Sequence, residues 1–357
     1  VIAITGSCGK TTVKDLLSLL LGGPPIARAT SGNLNNLIGV PATLLSLDED
    51  GCRYAIVEAG ISEPGEMAKL AEVIQPDTVV YTAIGPAHLE CLRDVDTIAF
   101  EKGKLSDAGL AQRAYLGPTW KPFCEQVFGG VGFLIEEGEP ANSRWSFKRS
   151  IENKRTRIDI KGPEGLESYW IEFVGQGSAS NAALAISVAR DCGVSAELVA
   201  LRLKDWKPSG MRGEWRSCGE NRVYLDCYNA NPLSMKEALD VFRLTSEPER
   251  RRLYIIGCME ELGNGSADLH EQLGADIPVE AGDYVRLLGD DAESVLKGMR
   301  IAGKYLGETE IIPTVEALQP LLNEFAGDVF LKGSRRYRLE SSLDFIKQES
   351  CEQGVSC

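Results

Sequence analysis

The feature that most constrains this fold is a glycine-rich segment at the start of the chain, placed between an apolar run and a helical stretch. Val1–Thr5 has the character of a buried strand, and apolar residues recur at three- and four-residue spacing over Thr11–Leu21. Gly6–Thr12, with two glycines followed by Lys-Thr-Thr, joins them. Glycines let backbone N–H groups converge on an anion, and the start of a helix adds a favourable dipole. This order predicts a phosphate-binding loop rather than a glycine turn without a ligand.

The first half of the chain continues to alternate short apolar runs with helical periodicity. The further strand candidates are Tyr54–Glu58, Thr78–Ala83 and Ala114–Leu116. The further helix candidates are Pro41–Leu47, Glu66–Ile74 and Asp96–Ala108. Such alternation predicts a mostly parallel sheet that helices cover on both faces. The region from Arg144 to Phe173 is expected to form antiparallel strands, followed by an alanine-rich helix over Ser178–Cys192.

A second unit of the same kind is expected after the segment Trp206–Gly210. Its strand candidates are Arg222–Cys227, Arg252–Gly257, Tyr284–Leu288 and Asp328–Lys332, with helices between them. The chain is long enough for two domains of ordinary size. We therefore predict an α/β protein of two domains, 1–206 and 207–357, hinged near residue 207.

Charge and composition limit the partners of this chain. Its formal net charge of −14 argues against a nucleic-acid surface and against an anionic-membrane surface. The longest apolar stretches, such as Leu16–Leu21, are far too short for a membrane span. The 10 cysteines include no Cys-x-x-Cys pair and indicate the reduced side chains of a cytosolic protein. We expect a cytoplasmic protein that meets its phosphate ligand with local amides, lysine and metal.

Two side chains follow predicted strands at the edge where open α/β sheets bind ligands. Glu58 ends the strand Tyr54–Glu58, and His88 follows the strand Thr78–Ala83. Each alone has a structural interpretation, as a solvated glutamate at a strand end or as a packed histidine. Beside a phosphate loop the two favour a divalent-cation site, because carboxylate and imidazole groups can share such an ion. On sequence grounds alone, Lys102 is an ordinary solvated helix residue.

A phosphate loop does not define a reaction, since kinases, motors and ligases all use one. The segments of the first half that narrow the choice are Ile4–Thr12, Gly32–Pro41, Val57–Gly60, Gly85–Glu90 and Glu101–Gly103. Those of the second half are Met211–Glu214, Asp226–Met235, Gly257–Gly263 and Lys332–Arg335. In this order, over nearly the whole chain, they resemble the Mur ligase family of peptidoglycan amide ligases. The Asn-Leu-Asn-Asn and Tyr-Asn-Ala-Asn-Pro runs are most similar to the branch that adds D-alanyl-D-alanine to UDP-MurNAc-tripeptide.

The resemblance implies a fold and a set of ligands. Residues 1–206 would be the family's central ATP-binding domain, and residues 207–357 its Rossmann-like C-terminal domain. The residues implied to hold ATP phosphates are Gly6, Ser7, Gly9, Lys10, Thr11 and Thr12. The residues implied to bind two Mg²⁺ ions are Thr11 and Glu58 for the first and His88 and Lys102 for the second. Lys102 matches a lysine that the family carries as an N-carboxylated group.

Other matching positions have implied roles in catalysis or substrate binding. The implied catalytic residues are Lys10, Asn33, His88 and Lys102, with Asn33 near the reacting phosphate and acyl groups. The residues implied to contact the nucleoside are Asn181, Asn229 and Asn231 on the adenine side and Asp226 at the ribose. Arg212 would reach the phosphates from the domain junction, and Arg335 would lie near the incoming amine.

The implied reaction is the ATP-dependent joining of a carboxylate to an amine. ATP would phosphorylate the carboxylate to an acyl phosphate, the amine would attack it, and phosphate would leave. Two metal ions and Lys10 would offset charge on the transferring group. The second domain would bring the amine and close on the first, which excludes water. The expected partners are small molecules, and we expect neither nucleic acid nor a membrane span.

The sequence departs from the family pattern in three places. The domain that binds the UDP part of the acceptor does not precede the first strand, so we expect that something upstream is missing, through processing, truncation or gene splitting. Gly175–Asn181 keeps only the last asparagine of a family motif, and Tyr115–Trp120 lacks the usual Asn and Asp. Ligase chemistry is therefore better supported than the identity of the acceptor. We expect a monomer that such a domain could complete.

Two other functions remain open on sequence grounds. The first is a related amide ligase that acts on another acid, such as a polyglutamate chain or a natural-product intermediate. The second is an ATP-binding partner subunit without chemistry of its own. That subunit would be expected to lack Glu58, His88 or Lys102, and all three are present. A nucleic-acid motor is disfavoured by the net charge and by the lack of a basic stripe.

Overall fold

The structure is a computed structural model that describes residues 1–48, 51–108, 111–124, 131–138, 143–172, 174–208 and 210–346. The chain divides into two compact units, Val1–Ser209 and Gly210–Cys357. The proposed boundary at residues 206 and 207 stays a prediction. Ser209, within the predicted linker Trp206–Gly210, lies outside the described residues. Residues 347–357, at the end of the predicted second domain, also lie outside them.

The first unit is built on one sheet of nine strands. Its strands are β1 Ile2–Thr5, β2 Ala27–Ala29, β3 Tyr54–Glu58, β4 Thr78–Tyr81, β5 Arg113–Leu116, β6 Val131–Glu137, β7 Trp145–Glu152, β8 Arg155–Gly162 and β9 Gly165–Ile171. They lie in the order β2-β3-β1-β4-β5-β6-β7-β8-β9. Neighbours from β2 to β7 are parallel, whereas β7, β8 and β9 pair antiparallel.

Helices cover both faces of this sheet. They are α1 Lys10–Leu21, α2 Gly39–Asp48, α3 Glu66–Ile74, α4 Leu89–Leu92, α5 Val95–Gly103, α6 Gln176–Asp191 and α7 Ala196–Leu203. Short 3₁₀ segments follow at Lys104–Ser106 and Pro118–Phe123. Alternate residues of β1 enter two cores, because side chains on a strand point to opposite faces. Ile2 and Ile4 pack with α1 and α6, while Ala3 packs with α3 and α5.

The pairing of the central strands brings their carboxyl ends to one edge. β1 lies between β3 and β4, with Ile4 opposite Glu58 on one side and Val80 on the other. The segments that follow β1, β3 and β4 therefore emerge together. In a parallel sheet this edge is where ligands bind.

The second unit contains a separate sheet of six strands. Its strands are β10 Glu214–Cys218, β11 Asn221–Leu225, β12 Arg252–Gly257, β13 Tyr284–Leu288, β14 Thr309–Ile311 and β15 Asp328–Lys332, in the order β10-β11-β15-β12-β13-β14. Only β10 runs antiparallel to its neighbour. The helices are α8 Pro232–Thr245, α9 Ser266–Asp276, α10 Ala292–Ile301 and α11 Gln319–Leu322. The 3₁₀ segments are Gly263–Gly265, Val315–Leu318, Arg335–Tyr337 and Leu339–Phe345.

The α/β class and the mostly parallel sheets are confirmed. The strands Tyr54–Glu58, Arg252–Gly257, Tyr284–Leu288 and Asp328–Lys332 and the helix Glu66–Ile74 have their predicted bounds. The predicted helix Asp96–Ala108 is shorter, because its regular part ends at Gly103 and a 3₁₀ turn follows. The expected antiparallel region forms β7, β8 and β9, and Phe173 at its end lies outside the described residues.

In the part of the chain that the structure describes, no helix has both the length and the apolar character needed to cross a membrane.

Candidate active site

The loop between β1 and α1 has the backbone that a phosphate loop requires. Gly6 and Gly9 lie at φ 151° and φ 85°, where a side chain is strained. A Cβ at Gly6 would lie 2.1 Å from the Thr82 hydroxyl, and one at Gly9 would lie 2.4 Å from Oδ1 of Asn181. Both positions therefore require glycine for space as well as for conformation.

The loop is fastened to the segment that follows β4. The Ser7 amide donates to the Ala83 carbonyl at 2.7 Å. The Ser7 hydroxyl donates to the Gly85 carbonyl at 2.7 Å and lies 3.2 Å from the Gly85 amide. Thr82 also donates its hydroxyl to the Cys8 carbonyl. The loop is held in shape by these bonds before any ligand binds.

Helix α1 begins at Lys10, so the Lys-Thr-Thr run occupies its first turn. The Lys10 ammonium folds back and donates to the Gly6 carbonyl at 2.9 Å. No acidic residue lies in this first turn. The helix start, its unpaired amides and the lysine give the loop a local positive character in a chain of net charge −14.

Glu58 lies beside this loop in a hydrogen-bonded cluster. Its side chain is only 2% exposed. The Thr11 hydroxyl donates to one carboxylate oxygen at 2.9 Å, and the side-chain amide of Asn35 donates to the other at 2.8 Å. The Glu58 amide in turn donates to the Thr30 hydroxyl at 3.0 Å. A buried carboxylate is thus aimed at the first turn of α1 by neutral donors.

This cluster fits a magnesium ion by the chemistry of its donors. A serine or threonine hydroxyl and a carboxylate are hard oxygen ligands, and Mg²⁺ is usually bound by one or two carboxylates together with substrate phosphates. Thr11 and Glu58 provide that pair next to the loop. Among the described residues, no three His, Cys, Asp or Glu side chains form a metal cluster.

Lys102 lies in the interior of the first unit. It is carried by α5 and is 1% exposed. Burial, together with the positive charge of Lys10, holds the pKa of Lys102 well below its ordinary value. Cys8, Glu58 and Glu66 oppose the shift. A neutral amine is favoured here, near the loop and Glu58.

The helix that carries Lys102 is anchored through its neighbour Glu101. The Glu101 carboxylate accepts the Gly65 amide at 2.8 Å and the Lys104 ammonium at 2.6 Å. Tyr81 adds a bond from its hydroxyl to the Gly103 carbonyl at 2.9 Å. Lys102 is therefore held between α3 and the end of β4.

His88 is half-buried in the segment after β4, directly before α4. Its backbone has φ 53°, which is uncommon for a residue with a side chain. The second histidine, His270, is fully buried and has a structural role. Its Nε2 accepts the Met259 amide at 2.9 Å, and its Nδ1 donates to the Ser266 carbonyl at 2.7 Å.

Asn33 lies in the segment that follows β2, whereas Asn181 lies on α6. Asn33 is exposed, and its carbonyl accepts the Asn35 amide at 2.7 Å. Asn181 is in the second turn of α6, with its side chain against Gly9. The structure thus places Asn181 beside the phosphate loop.

In the second unit, four predicted nucleotide contacts cluster around the end of β11. Asp226 directly follows this strand and binds the ammonium of Lys332 at 2.6 Å. Burial raises the pKa of Asp226, and the charges of Lys332 and Arg212 oppose that shift. The Arg212 guanidinium lies 4.0 Å from the centre of the Tyr228 ring. Asn229 is exposed next to this group.

Asn231 has a structural function that its sequence motif does not reveal. Its side chain accepts the Ser234 amide at 2.9 Å, and its own amide donates to the Ser234 hydroxyl at 3.0 Å. These bonds form a capping box at the start of α8. The adenine contact predicted for Asn231 therefore stays a prediction and would have to coexist with this cap.

Arg335 lies on the surface of the second unit. Its side chain is half exposed, and it pairs with Glu340 and contacts the sulfur of Met211. The contact with the amine substrate predicted for Arg335 stays a prediction.

Sequence reasoning missed three polar residues that hold the predicted ones. Asn35 binds Glu58, Thr30 binds the Glu58 backbone, and Lys332 binds Asp226. Asn35 lies within the quoted Asn-Leu-Asn-Asn run, which was the available signal. Lys332 lies within the quoted Lys332–Arg335 segment, whereas Thr30 carried no signal beyond polar character near a strand.

The two units match two family models. Residues 4–189 match the Mur ligase middle domain, and residues 211–335 match the model described as Mur ligase, glutamate ligase domain.

Individual relatives agree with this match over most of the chain. The UDP-N-acetylmuramoyl-tripeptide--D-alanyl-D-alanine ligase of Bacillus subtilis (strain 168) is 30% identical, with 95% of this chain and 74% of that protein covered. The ligase of the same name from Escherichia coli (strain K12) is 27% identical, with 98% of this chain and 77% of that protein covered. A crystal structure of MurF from Acinetobacter baumannii superposes with a TM-score of 0.84 at 26% identity, with 96% of this chain and 75% of that chain covered.

Proposed function

This chain belongs to the Mur ligase family, and we propose that it is an ATP-dependent, ADP-forming ligase that adds D-alanyl-D-alanine to UDP-MurNAc-tripeptide. Two relatives that carry this activity in their names match at 30% and 27% identity along almost the whole chain. The reaction belongs to the synthesis of peptidoglycan precursors. We place it in the cytoplasm, where ATP is available, and propose that the protein acts as a monomer.

The observation that carries this proposal is the arrangement of Thr11, Glu58 and Asn35 beside the phosphate loop. A buried carboxylate, oriented by two neutral donors, lies at the first turn of a helix whose loop contains Lys10. Phosphoryl transfer depends mainly on positioning and on offsetting negative charge. The site offers both: the Gly6–Thr12 amides and Lys10 for the phosphates, and Thr11 with Glu58 for a metal.

Magnesium would be held by Thr11 and Glu58, and a second ion by His88 and Lys102. Bound there, the ions would neutralise charge on the phosphates. Thr12 and Ser7 would add hydroxyl contacts, and Lys10 would move from the Gly6 carbonyl to the transferring phosphate. Asn33, exposed at the same edge, would orient the carboxylate of the acid.

We propose that Lys102 works as a carbamate. A neutral lysine amine can add to carbon dioxide and release one proton, which leaves an N-carboxylate with two oxygen donors. The depressed pKa of Lys102 favours the neutral amine that this addition needs. Carboxylation converts a buried nitrogen into a hard oxygen ligand, the type that a magnesium ion prefers.

The reaction then proceeds in two balanced steps. An oxygen of the acid's carboxylate attacks the γ-phosphorus of ATP, so that an acyl phosphate forms and ADP leaves. The amine of D-alanyl-D-alanine attacks the acyl carbon, loses a proton, and expels inorganic phosphate. Lys10 offsets the charge in both steps, since phosphate oxygens carry it throughout.

The remaining nucleotide and substrate contacts are proposed from the matching positions. Asp226 would accept the ribose hydroxyls, Arg212 would reach the phosphates, and Arg335 would lie near the amine substrate. The residues proposed on the adenine side are Asn181, Asn229 and Asn231. Asn181 is supported by its position against Gly9, and Arg212 and Asp226 by their proximity to each other.

Phosphate release tests the proposal directly. The protein is incubated with ATP, Mg²⁺, UDP-MurNAc-tripeptide and D-alanyl-D-alanine, and each component is omitted in turn. We expect release to require all four, and mass spectrometry to find the pentapeptide product.

The omissions also distinguish the other functions. Release that needs a different acid, such as a polyglutamate chain, would identify a related ligase with another acceptor. Tight ATP binding without release in the presence of any acid and amine would contradict the ligase assignment and favour a non-catalytic subunit.

A further inference from the structure

Lys332 is the last residue of β15, inside the second unit. Every residue of this strand is buried, and Lys332 itself is 1% exposed. Lysine is almost never fully buried unless its charge is paired. β15 lies between β11 and β12, so its carboxyl end is at the centre of the edge where a parallel sheet binds ligands.

The Lys332 ammonium has an acceptor for each of its three donors. It lies 2.6 Å from Oδ2 of Asp226, 3.2 Å from the Asp226 carbonyl and 3.2 Å from the Asn229 carbonyl. The Asp226 amide in turn donates to the Leu331 carbonyl at 3.0 Å. One lysine therefore fastens both the carboxylate and the backbone of residues 226–229 to the strand.

The two partners differ in how far they reach the surface. The Lys332 side chain is 1% exposed, whereas the Asp226 side chain is 19% exposed. The lysine cannot meet a ligand of ordinary size, but the carboxylate can. The pair therefore presents the Asp226 carboxylate as a hydrogen-bond acceptor, and the buried Lys332 ammonium holds it in place.

We propose that Lys332 is a positioning residue for the nucleotide, which holds the Asp226 carboxylate and the 226–229 segment so that they accept the ribose hydroxyls of ATP. This inference rests on the proposed function, because it takes the contact of Asp226 with ribose from there. Lys332 does not touch the nucleotide. Its effect on ATP passes through Asp226.

The test compares ATP with 2′,3′-dideoxy-ATP, which lacks both ribose hydroxyls. Isothermal titration calorimetry on the full chain gives affinities, and phosphate release gives kcat and KM for each nucleotide. For the unchanged protein we expect ATP to bind about 10-fold or more tightly than the dideoxy analogue, since hydroxyls that bind a carboxylate make charge-assisted hydrogen bonds.

Lys332→Met should reduce this preference to less than about threefold, by raising KM for ATP while leaving KM for dideoxy-ATP unchanged. Asp226→Asn should have the same effect, and the double variant should add nothing, because both residues act through one contact. Lys332→Gln, which keeps one polar donor, serves if Lys332→Met does not fold. Lys297→Met is the control, since Lys297 is an exposed lysine on α10 that pairs with Glu271.

The outcomes separate this inference from the proposed function. A variant at Lys332 that weakens both nucleotides equally, with the preference intact, would show a purely structural lysine and overturn the inference. An unchanged protein that binds ATP but does not discriminate would overturn it as well and leave the ligase proposal standing. A chain that neither binds ATP nor releases phosphate would overturn both.

Discussion

Lys102 and Lys332 are buried to the same extent, but their surroundings are opposite. Each is 1% exposed. Lys332 is surrounded by one carboxylate and two carbonyls within hydrogen-bond distance. Lys102 has no such partner among the described residues, and its largest charged influence is the positive Lys10. Burial alone therefore does not decide what a lysine does.

The difference assigns separate tasks to the two units. Where acceptors surround the ammonium, its hydrogen bonds fix neighbouring groups in place. Where they are absent, burial favours the free amine, which can act as a nucleophile toward carbon dioxide. The first unit thus has a lysine suited to chemistry, and the second has one suited to support.

The largest expected effect is on turnover. Lys102→Ala should reduce kcat about 1,000-fold, because it removes a proposed ligand of the second Mg²⁺ ion, which would offset charge on the phosphates. Short carboxylic acids such as acetate should partly restore activity by replacing the lost carboxylate. Lys69→Ala, at an exposed lysine on α3, is the control and should be close to the unchanged protein. Full activity of Lys102→Ala would refute the carbamate role.

The free energy of unfolding should depend more on Lys332 than on Lys102. Lys332→Met leaves the Asp226 carboxylate without its partner and should lower the free energy of unfolding by about 3–5 kcal/mol. Lys102→Met removes a buried amine that, among the described residues, no carboxylate hydrogen-bonds, and should leave that free energy unchanged or raise it. Urea unfolding measures both. Equal losses in the two variants would show that the lysines are in equivalent environments.

The pH dependence of stability provides a finer test. The folded-state pKa of Lys102 is depressed, so the unfolded chain binds its proton more tightly than the folded one. Stability should therefore rise with pH between that lowered pKa and the ordinary value of 10.5, by up to about 1.4 kcal/mol per pH unit.

Lys102→Met should remove this contribution. Urea titrations at a series of alkaline pH values, with the unchanged protein beside the variant, give the difference in slope. Identical slopes would mean that Lys102 keeps its charge in the folded protein.

The smallest effect is expected at Asn35, which orients Glu58. Asn35→Ala should raise the Mg²⁺ concentration needed for half-maximal activity about 10-fold, the size typical for a residue that holds a metal ligand. Asn36→Ala is the matched control in the same loop, because its side chain accepts the Ile38 and Gly39 amides instead. That control should lose stability without a change in Mg²⁺ requirement. An unchanged requirement in Asn35→Ala would separate Glu58 from the metal.

Local signals predicted much of the first unit. The alternation of apolar runs with helical periodicity predicted the bounds of β3 and α3 correctly. The glycines, Lys10 and Glu58 were predicted as site residues from their order along the chain. These features depend on neighbours in sequence, so periodicity and spacing are enough to find them. The continuation of the parallel sheet through β6 into β7 was not predicted, since strand pairing joins segments that are distant in sequence.

Burial was the main property that the sequence did not reveal. Lys102 could not be recognised as buried from the sequence alone, and it is enclosed because the helix that carries it packs against α3 and the end of β4. Lys332 was quoted only as part of a motif, and its pairing with Asp226 joins residues 106 positions apart. Such contacts appear only once the sheet order is known.

Isotope transfer shows whether the reaction passes through an acyl phosphate. UDP-MurNAc-tripeptide is prepared with ¹⁸O in the carboxylate that reacts, and the inorganic phosphate released during turnover is analysed by mass spectrometry. An acyl phosphate requires that each phosphate formed carries one oxygen from that carboxylate. We expect phosphate labelled in this way, and phosphate without ¹⁸O from a turning-over enzyme would exclude an acyl phosphate.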